Sequence, residues 1–438
     1  MSAASCSTPP PANLAHGARV VVCGAISTYN DETLAEGPRR YMALLVFRAS
    51  MQGFVVMDYA DRYPEAIAGI SELIGGRPPR GHRDHPRGRH RRLPRRPARP
   101  LRRGQHRQAP PPAVTHTKGT TMRAIHISSL DGPEAVEVVE IADPSDDRMV
   151  TIDVKAAGVA FPELLQTRGL YQLKPDLPFV PGAEVAGVVS AAPEGSGLSV
   201  GDRVAALTLL GGFAEKALAR PDLTFALPDE VSFEEAASFT FNYATVYFAL
   251  VERGGSVEGE TVLVHGAAGG IGTAAIQMAK AFGASKVIGV VSTEAKGEIA
   301  RAAGADEVVM ADGFLEAVGK ASVDIVVDPV GGDRFTDSLR TLREHGRLLV
   351  IGFTAGSIPE VKVNRLLLNN ISVVGVGWGA FAMSRPGHVG KEWAAMLPHL
   401  RSGALRPIVG ATHRLEDAAT AIASLEGRTV TGKVVLVP

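Results

Sequence analysis

Apolar and polar positions fall into three regimes along the chain. Over residues 17–75, ARVVVCGA reads as a buried strand, RRYMALLVFRAS as a helix, GFVVMDYA as a second strand and RYPEAIAGISELI as another helix. Two strands rarely make a domain alone. Residues 77–121 lose all periodicity. Order returns from Met122 to Pro438, which opens with MRAIHI and closes with GKVVLV, both strand-like. Between them lie a β-rich stretch over about 122–240, alternating strands and helices over about 245–384, and a closing stretch with one helix and a last strand. Such alternation predicts a parallel sheet covered by helices, beside a separate β-rich domain. The expected class is α/β, a doubly wound sheet with a β-rich partner.

Composition changes that picture in the middle regime. The whole chain of 438 residues is formally neutral, with 46 Lys+Arg and 46 Asp+Glu, and its 45% apolar content excludes a wholly disordered or collagen-like protein. Residues 77–121, however, hold 13 Arg and Lys118 against the single acid Asp84, together with nine Pro and five His. Such a segment cannot bury enough surface to offset its ordering entropy, so a disordered linker is expected there. A basic arm on nucleic-acid phosphates is the functional alternative. Charge runs alone are weak evidence for it, and Arg, Pro, His and Gly with one late Lys are what GC-rich codons yield when read out of frame. Residues 122–438 carry 27 basic and 38 acidic side chains, a net of −11, which argues against nucleic acid as a partner. Cys6 and Cys23 are the only cysteines, so neither a disulfide framework nor a four-Cys zinc site fits within one chain. MSAASCSTPPPANLAHG has no basic n-region, and no apolar run approaches the ~18 residues of a membrane span. A cytoplasmic protein with no membrane partner is the expectation.

The strongest chemical signal is TVLVHGAAGGIGTAAIQMAKAFGA at 261–284: an apolar strand, a turn at Gly266, Ala267, Gly269, Gly270, Ile271 and Gly272, then a helix ending near Gly283. A turn without side chains lets backbone N–H groups and a helix N-terminus approach a dinucleotide pyrophosphate. Glycine triplets alone are weak, but this one stands between a strand and a helix, the context that gives it meaning. The next strand, KVIGVV, ends where an NAD site would place an acid for the ribose hydroxyls. Val291, Ser292 and Thr293 stand there instead, with Lys296 beyond, a set that suits the 2′-phosphate of NADPH; Glu294 lies nearby. VDIVVDPVGG and GRLLVIGF supply further strands, so Gly352 and Phe353 are candidates to line the nicotinamide pocket or simply to end a strand.

These motifs resemble a family. AAGVAFPELLQTRGLY, LPFVPGAEVAGVV, VGDRV, GGFAE, LPDEVSFEEAA, GAAGGIG, DPVGG and RTVTGKVVL fall, in order, as in the zinc-independent quinone oxidoreductases of the medium-chain dehydrogenase/reductase superfamily, and the likeness covers 122–438. It implies a GroES-like β-rich domain built from 122–243 and 385–438, with a Rossmann NADP-binding domain at 244–384 between them. Zinc-dependent relatives carry Cys in the AAGV segment and His in the PGHE segment; Ala160 and Ala183 stand at those positions, and no Cys follows residue 23. No metal is therefore expected. The resemblance implies direct hydride transfer from NADPH to a quinone or α,β-unsaturated carbonyl. It gives Tyr171 an active-site position and Thr245 a cofactor-contacting one, and places Lys296 and Arg428 by the 2′-phosphate. A homodimer is also implied, with ISVVGVGW at 371–378 pairing across a two-fold axis. Two departures stand out: Ala160 replaces a frequent Asn, and Ala311 replaces an adenine-stacking Tyr found in some members. The alternatives are an enoyl-thioester reductase of acryloyl-CoA type and an NADPH-binding protein without turnover.

Residues 17–75 resemble the C-terminal part of another branch, the prostaglandin reductase or alkenal reductase type, with Tyr41 at an active-site position and Arg40 replacing the preceding Asn. The segment also echoes the second unit, His16-Gly17-Ala18-Arg19 against His345-Gly346-Arg347. Lacking a glycine turn, it is expected to be catalytically dead. The organisation read from the sequence is thus a truncated reductase fragment (1–76), an Arg/Pro-rich linker (77–121) and a complete reductase, as if the tail of one gene ran out of frame into a second beginning at Met122.

Overall fold

The apolar runs that the sequence marks as buried assemble into two large sheets and a two-stranded ribbon. The structure, a computed structural model, describes residues 14–15, 17–22, 44, 47–53, 62, 64–68, 120–255, 257–427 and 429–438. Residues 1–54 and 115–438 belong to one compact unit and 55–114 to another. In the second unit residues 64–68 are helical, and Arg62 pairs with Glu65 at 3.1 Å. Nearly all of the Arg/Pro-rich segment, like Tyr41 and Arg40, lies outside the described residues.

Seventeen strands are described. In chain order they are Arg19–Val22 (β1), Ser50–Gly53 (β2), Thr121–Ile127 (β3), Val136–Ala142 (β4), Val150–Val159 (β5), Glu184–Ala191 (β6), Arg203–Leu207 (β7), Lys216–Ala219 (β8) and Thr224–Ala226 (β9). Thr261–His265 (β10), Lys286–Val291 (β11), Glu307–Met310 (β12), Val323–Asp328 (β13), Leu342–Val350 (β14), Ser372–Gly375 (β15), Val409–Arg414 (β16) and Lys433–Val437 (β17) follow. One sheet has the order β16-β17-β5-β6-β7-β9, with β8 pairing β5, and β3–β4 form a separate ribbon. The last strand thus returns to the β-rich part, where Val434 to Leu436 pair with Ala157 to Val159.

The other sheet has eight strands in the order β1-β2-β15-β14-β13-β10-β11-β12. Its six C-terminal strands are mutually parallel. Val262, Leu263, Val264, Ile325, Val326, Val327, Leu348 and Leu349 are all fully buried, as strands covered on both faces must be. Numbered within this half, the order is 6-5-4-1-2-3, the doubly wound Rossmann arrangement whose switch point lies between β10 and β13. The fold is therefore the expected one, a β-rich GroES-like domain and a Rossmann sheet. Phe239, Tyr243 and Trp393 pack together at the helices between them, with the Tyr243 hydroxyl donating to Gln277 Oε1 at 2.6 Å.

The early strands depart from the reading of the sequence. GFVVMDYA was to be a strand, but the described strand is Ser50–Gly53, just before it, and residues 54–60 lie outside the described set. Arg48, at φ 50°, turns the chain between helical Leu44 and the strand. Its start is fixed by pairing, not by local hydrophobicity, because β2 runs parallel to β1 and antiparallel to β15. Two strands too few for a domain thus complete the edge of a larger sheet. Among the described residues no helix is long and apolar enough to cross a membrane.

Candidate functional site

The carboxyl ends of β10, β11, β13 and β14 converge at the switch point. After β10, Gly266 adopts φ +60°, which glycine tolerates at no steric cost, and the chain enters the helix Gly270–Ala281 with Gly269 at its N-cap. A Cβ at Gly272 would stand 2.1 Å from the Gly266 carbonyl oxygen, so the close turn demands glycine. Ala267 is fully buried and its N–H bonds the Val290 carbonyl at 3.2 Å, which locks the turn to β11. The N–H groups of Gly270, Ile271 and Gly272 belong to the first helical turn, where no intrahelical acceptor exists, and they carry the positive end of a 12-residue helix. A bare backbone cradle beneath a helix N-terminus fits a dinucleotide pyrophosphate.

At the end of β11, Thr293 caps the helix Glu294–Ala302 by accepting from Lys296 N. That capping turn brings Lys296 Nζ to 3.3 Å from Ser292 Oγ, side by side at the strand end. Glu294 points along its own helix to Arg301 at 2.8 Å. The crevice therefore offers a hydroxyl and an ammonium where an acid would favour a ribose 2′-hydroxyl. Arg428 lies outside the described residues, but its neighbours reach the site: Gly432 N donates to the Ala268 carbonyl at 2.6 Å and Gly432 bridges Gly269 in parallel.

On the other side of the switch point, buried Asp328 accepts from Val330 N at 2.9 Å and Gly331 N at 2.8 Å, ordering the DPVGG loop. A Cβ on Gly331 would meet the Phe353 ring at 2.8 Å, and one on Gly352 would lie 3.4 Å from the Pro329 carbonyl, so both candidates line this loop. Asp328 escaped the sequence reading, although an acid before Pro-x-Gly is a turn signal.

Tyr171 and Thr245 come from outside the parallel sheet. Thr245, on the helix Asn242–Tyr247, is buried and donates its hydroxyl to the Phe241 carbonyl at 2.8 Å. Tyr171 is half-buried after the helix Phe161–Thr167; burial first, and then the Glu163 carboxyl, push its phenol above the usual tyrosine range, so it stays protonated.

Glu163 is a second residue that the sequence does not announce. It is 1% exposed, and its two oxygens accept from Ala160 N at 2.9 Å and Ala183 N at 3.1 Å, the two positions that the resemblance sets against metal ligands. Burial raises its pKa to about 7, against the opposing pull of Lys433. Beside it lies a buried ion pair, Lys433 Nζ to Glu184 Oε1 at 2.6 Å, while Glu184 Oε2 accepts from Thr240 Oγ1 and Phe241 N, each at 2.9 Å. Glu184 thus ties the β-rich sheet to the segment entering the helix that carries Thr245.

Comparison with known proteins gives these features a context. Residues 146–229 match the alcohol dehydrogenase GroES-like domain family, and residues 270–402 match the zinc-binding dehydrogenase family. Quinone oxidoreductase-like protein 2 of Bos taurus is 35% identical over 325 residues, covering 73% of this chain and 93% of that protein. A probable oxidoreductase from Mycobacterium abscessus, known from a crystal structure, is 46% identical with a TM-score of 0.66 over 73% of this chain and 99% of that one. The crystal structure of Escherichia coli quinone oxidoreductase complexed with NADPH is 30% identical, with a TM-score of 0.66 over 73% of this chain and all of that one.

Proposed function

We propose a hydride-transfer function from one premise: the chain belongs to the quinone oxidoreductase-like group of the medium-chain dehydrogenase/reductase superfamily. It is an NADPH-dependent oxidoreductase whose acceptor is a quinone or an α,β-unsaturated carbonyl. The observation that carries the reading is the glycine cradle at the switch point with Ser292 and Lys296 paired at the neighbouring strand end.

In this reading Gly270, Ile271 and Gly272 hold the pyrophosphate through backbone N–H groups, and Ser292 and Lys296 hold the 2′-phosphate, aided by Arg428. Gly352 and Phe353, set by the Asp328-ordered loop, flank the nicotinamide. When bound, NADPH supplies the hydride. The protein's part is orientation: Thr245 is held rigid by its backbone bond, and Tyr171 shapes the acceptor pocket as a neutral phenol. A quinone takes its protons from water afterwards.

The reaction is zinc-independent in this reading. Ala160 and Ala183 offer no ligand atoms, and both Glu163 oxygens are engaged by the N–H groups of those same residues. A cytoplasmic setting goes with the reading.

The test is NADPH oxidation by the full chain, offering a quinone, an enone and an acyl-CoA thioester in turn. Turnover with the quinone or enone is expected. Tight NADPH binding with no turnover on any of the three would replace this reading with that of a binding protein, and turnover on the thioester alone would reassign the acceptor.

A further inference from the structure

β15, the strand read from sequence as the one to pair across a two-fold axis, has its edge filled by this chain's own β2. The way it is filled repeats the chain's own sheet edge in detail. β1 and β2 pair in parallel with Arg19 opposite Ser50 and Val22 opposite Gly53. β14 and β15 pair in parallel with Arg347 opposite Ser372 and Val350 opposite Gly375. The strand sequences correspond position by position, RVVV and SMQG against RLLV and SVVG. Even the entries match: two residues before each second strand stands a non-glycine residue in the left-handed region, Arg48 at φ 50° and Asn370 at φ 48°, each followed by a fully buried apolar residue, Ala49 or Ile371.

The two copies meet about a local two-fold axis. Met51 lies opposite Val373, the second residue of each strand, while Ser50 faces Val374 and Gln52 faces Ser372. The flanking hydrogen bonds are reciprocal: Gly53 N donates to the Ile371 carbonyl at 3.1 Å and Gly375 N to the Ala49 carbonyl at 3.0 Å. In an isologous interface residue i touches j and j touches i, and that relation holds here within one chain. Arg253 straddles the seam, donating to the carbonyls of both Gly375 and Arg48.

We infer that residues 17–53 supply, within the chain, the copy of the β14–β15 element that a dimer partner would otherwise bring to the β15 edge, and that they hold the chain monomeric at this edge. An open edge strand is a template for pairing with another chain, and a built-in copy of the partner closes it. The inference does not depend on the catalytic reading, and its readout is covalent connectivity, not turnover.

The test uses full chains in a Cys6→Ser/Cys23→Ser background. Because Val373 sits at the centre of the pseudo-symmetric seam, Val373→Cys alone would meet its own equivalent across a dimer axis and, with an added thiol oxidant that accepts the two electrons, form a covalent dimer. The expected result is instead a monomer with a free thiol, while Met51→Cys/Val373→Cys closes an intrachain disulfide without change of chain mass class. Gly53→Ala, whose Cβ would stand 1.6 Å from the Leu366 carbonyl oxygen, should displace β2; added to Val373→Cys, it should then give the covalent dimer. Dimer formation by Val373→Cys alone, or failure of the double-cysteine chain to close, overturns the inference even if the Gly53→Ala chain does not fold. A folded Gly53→Ala/Val373→Cys chain that stays monomeric refutes the claim that residues 17–53 are what keeps a second copy from this edge.

Discussion

The role proposed for Lys296 comes from its place on an element. Its ammonium is held 3.3 Å from Ser292 Oγ by the capping turn of its own helix, at the strand end where the ribose of a bound dinucleotide would lie. A 2′-phosphate would give it a charge-assisted contact, whereas a 2′-hydroxyl would not. Lys296→Ala should therefore raise the NADPH KM by about ten- to a hundredfold, in line with ~1.5–3 kcal/mol for a bond to a charged group, and leave the NADH KM nearly unchanged. Steady-state kinetics with both cofactors checks this, and equal shifts would refute the assignment. The placement of Lys296, Ser292 and the glycines at strand ends was legible in the sequence, because spacing from a strand fixes where a residue lies. Glu163 was not. Its part depends on reaching Ala160 N, three residues before it, and Ala183 N, twenty residues after it, and no local pattern announces the second contact.

The same division runs through the elements. The long apolar runs of the parallel sheet declared themselves, since strands buried on both faces leave no polar alternation to confuse them. The short strand Ser50–Gly53 did not, because its sequence SMQG is chosen by partners on both sides and by contact with the helix Asn364–Leu368. The buried Glu184–Lys433 pair was equally silent, for it joins β6 to β17 across 249 positions. Glu184 and Lys433 are 1% and 4% exposed, so neither charge has water to fall back on. Lys433→Met alone should destabilise the protein by about 3–5 kcal/mol by stranding a buried carboxylate, while Lys433→Met/Glu184→Gln should cost less, because it leaves no uncompensated charge. Chemical denaturation of these two variants and of Glu184→Gln alone decides it; a double variant as unstable as the sum of the two single variants would show that the pair is not coupled.

At the scale of the whole molecule, stability is tied to pH by three buried groups on different elements. Burial raises Glu163 to about 7 and Glu392 to about 8 from an ordinary 4.5, and lowers His265 to about 4 from 6.5. Around Glu392 stand Trp378, whose indole N–H donates to it at 2.9 Å, His388 at 3.2 Å and the Glu252 carboxylate, which adds to the upward shift. The signs oppose each other. Each raised carboxyl keeps its proton in the folded state, so its contribution to stability is fully present below 4.5 and is lost as pH climbs through its folded value. The imidazole is neutral when folded and takes up a proton on unfolding, so its effect is a loss of stability as pH falls from 6.5 toward about 4. Above pH 6.5 only the carboxyls act, and stability should decline toward pH 8.5 with a slope of at most ~1.4 kcal/mol per pH unit for each retained proton. Glu392→Gln removes the later of the two titrations while keeping an oxygen to accept from Trp378, so its melting temperature should fall less steeply than that of the parent between pH 7.5 and 8.5. Parallel melting curves across that range check the assignment, and an unchanged slope in Glu392→Gln would place the proton elsewhere.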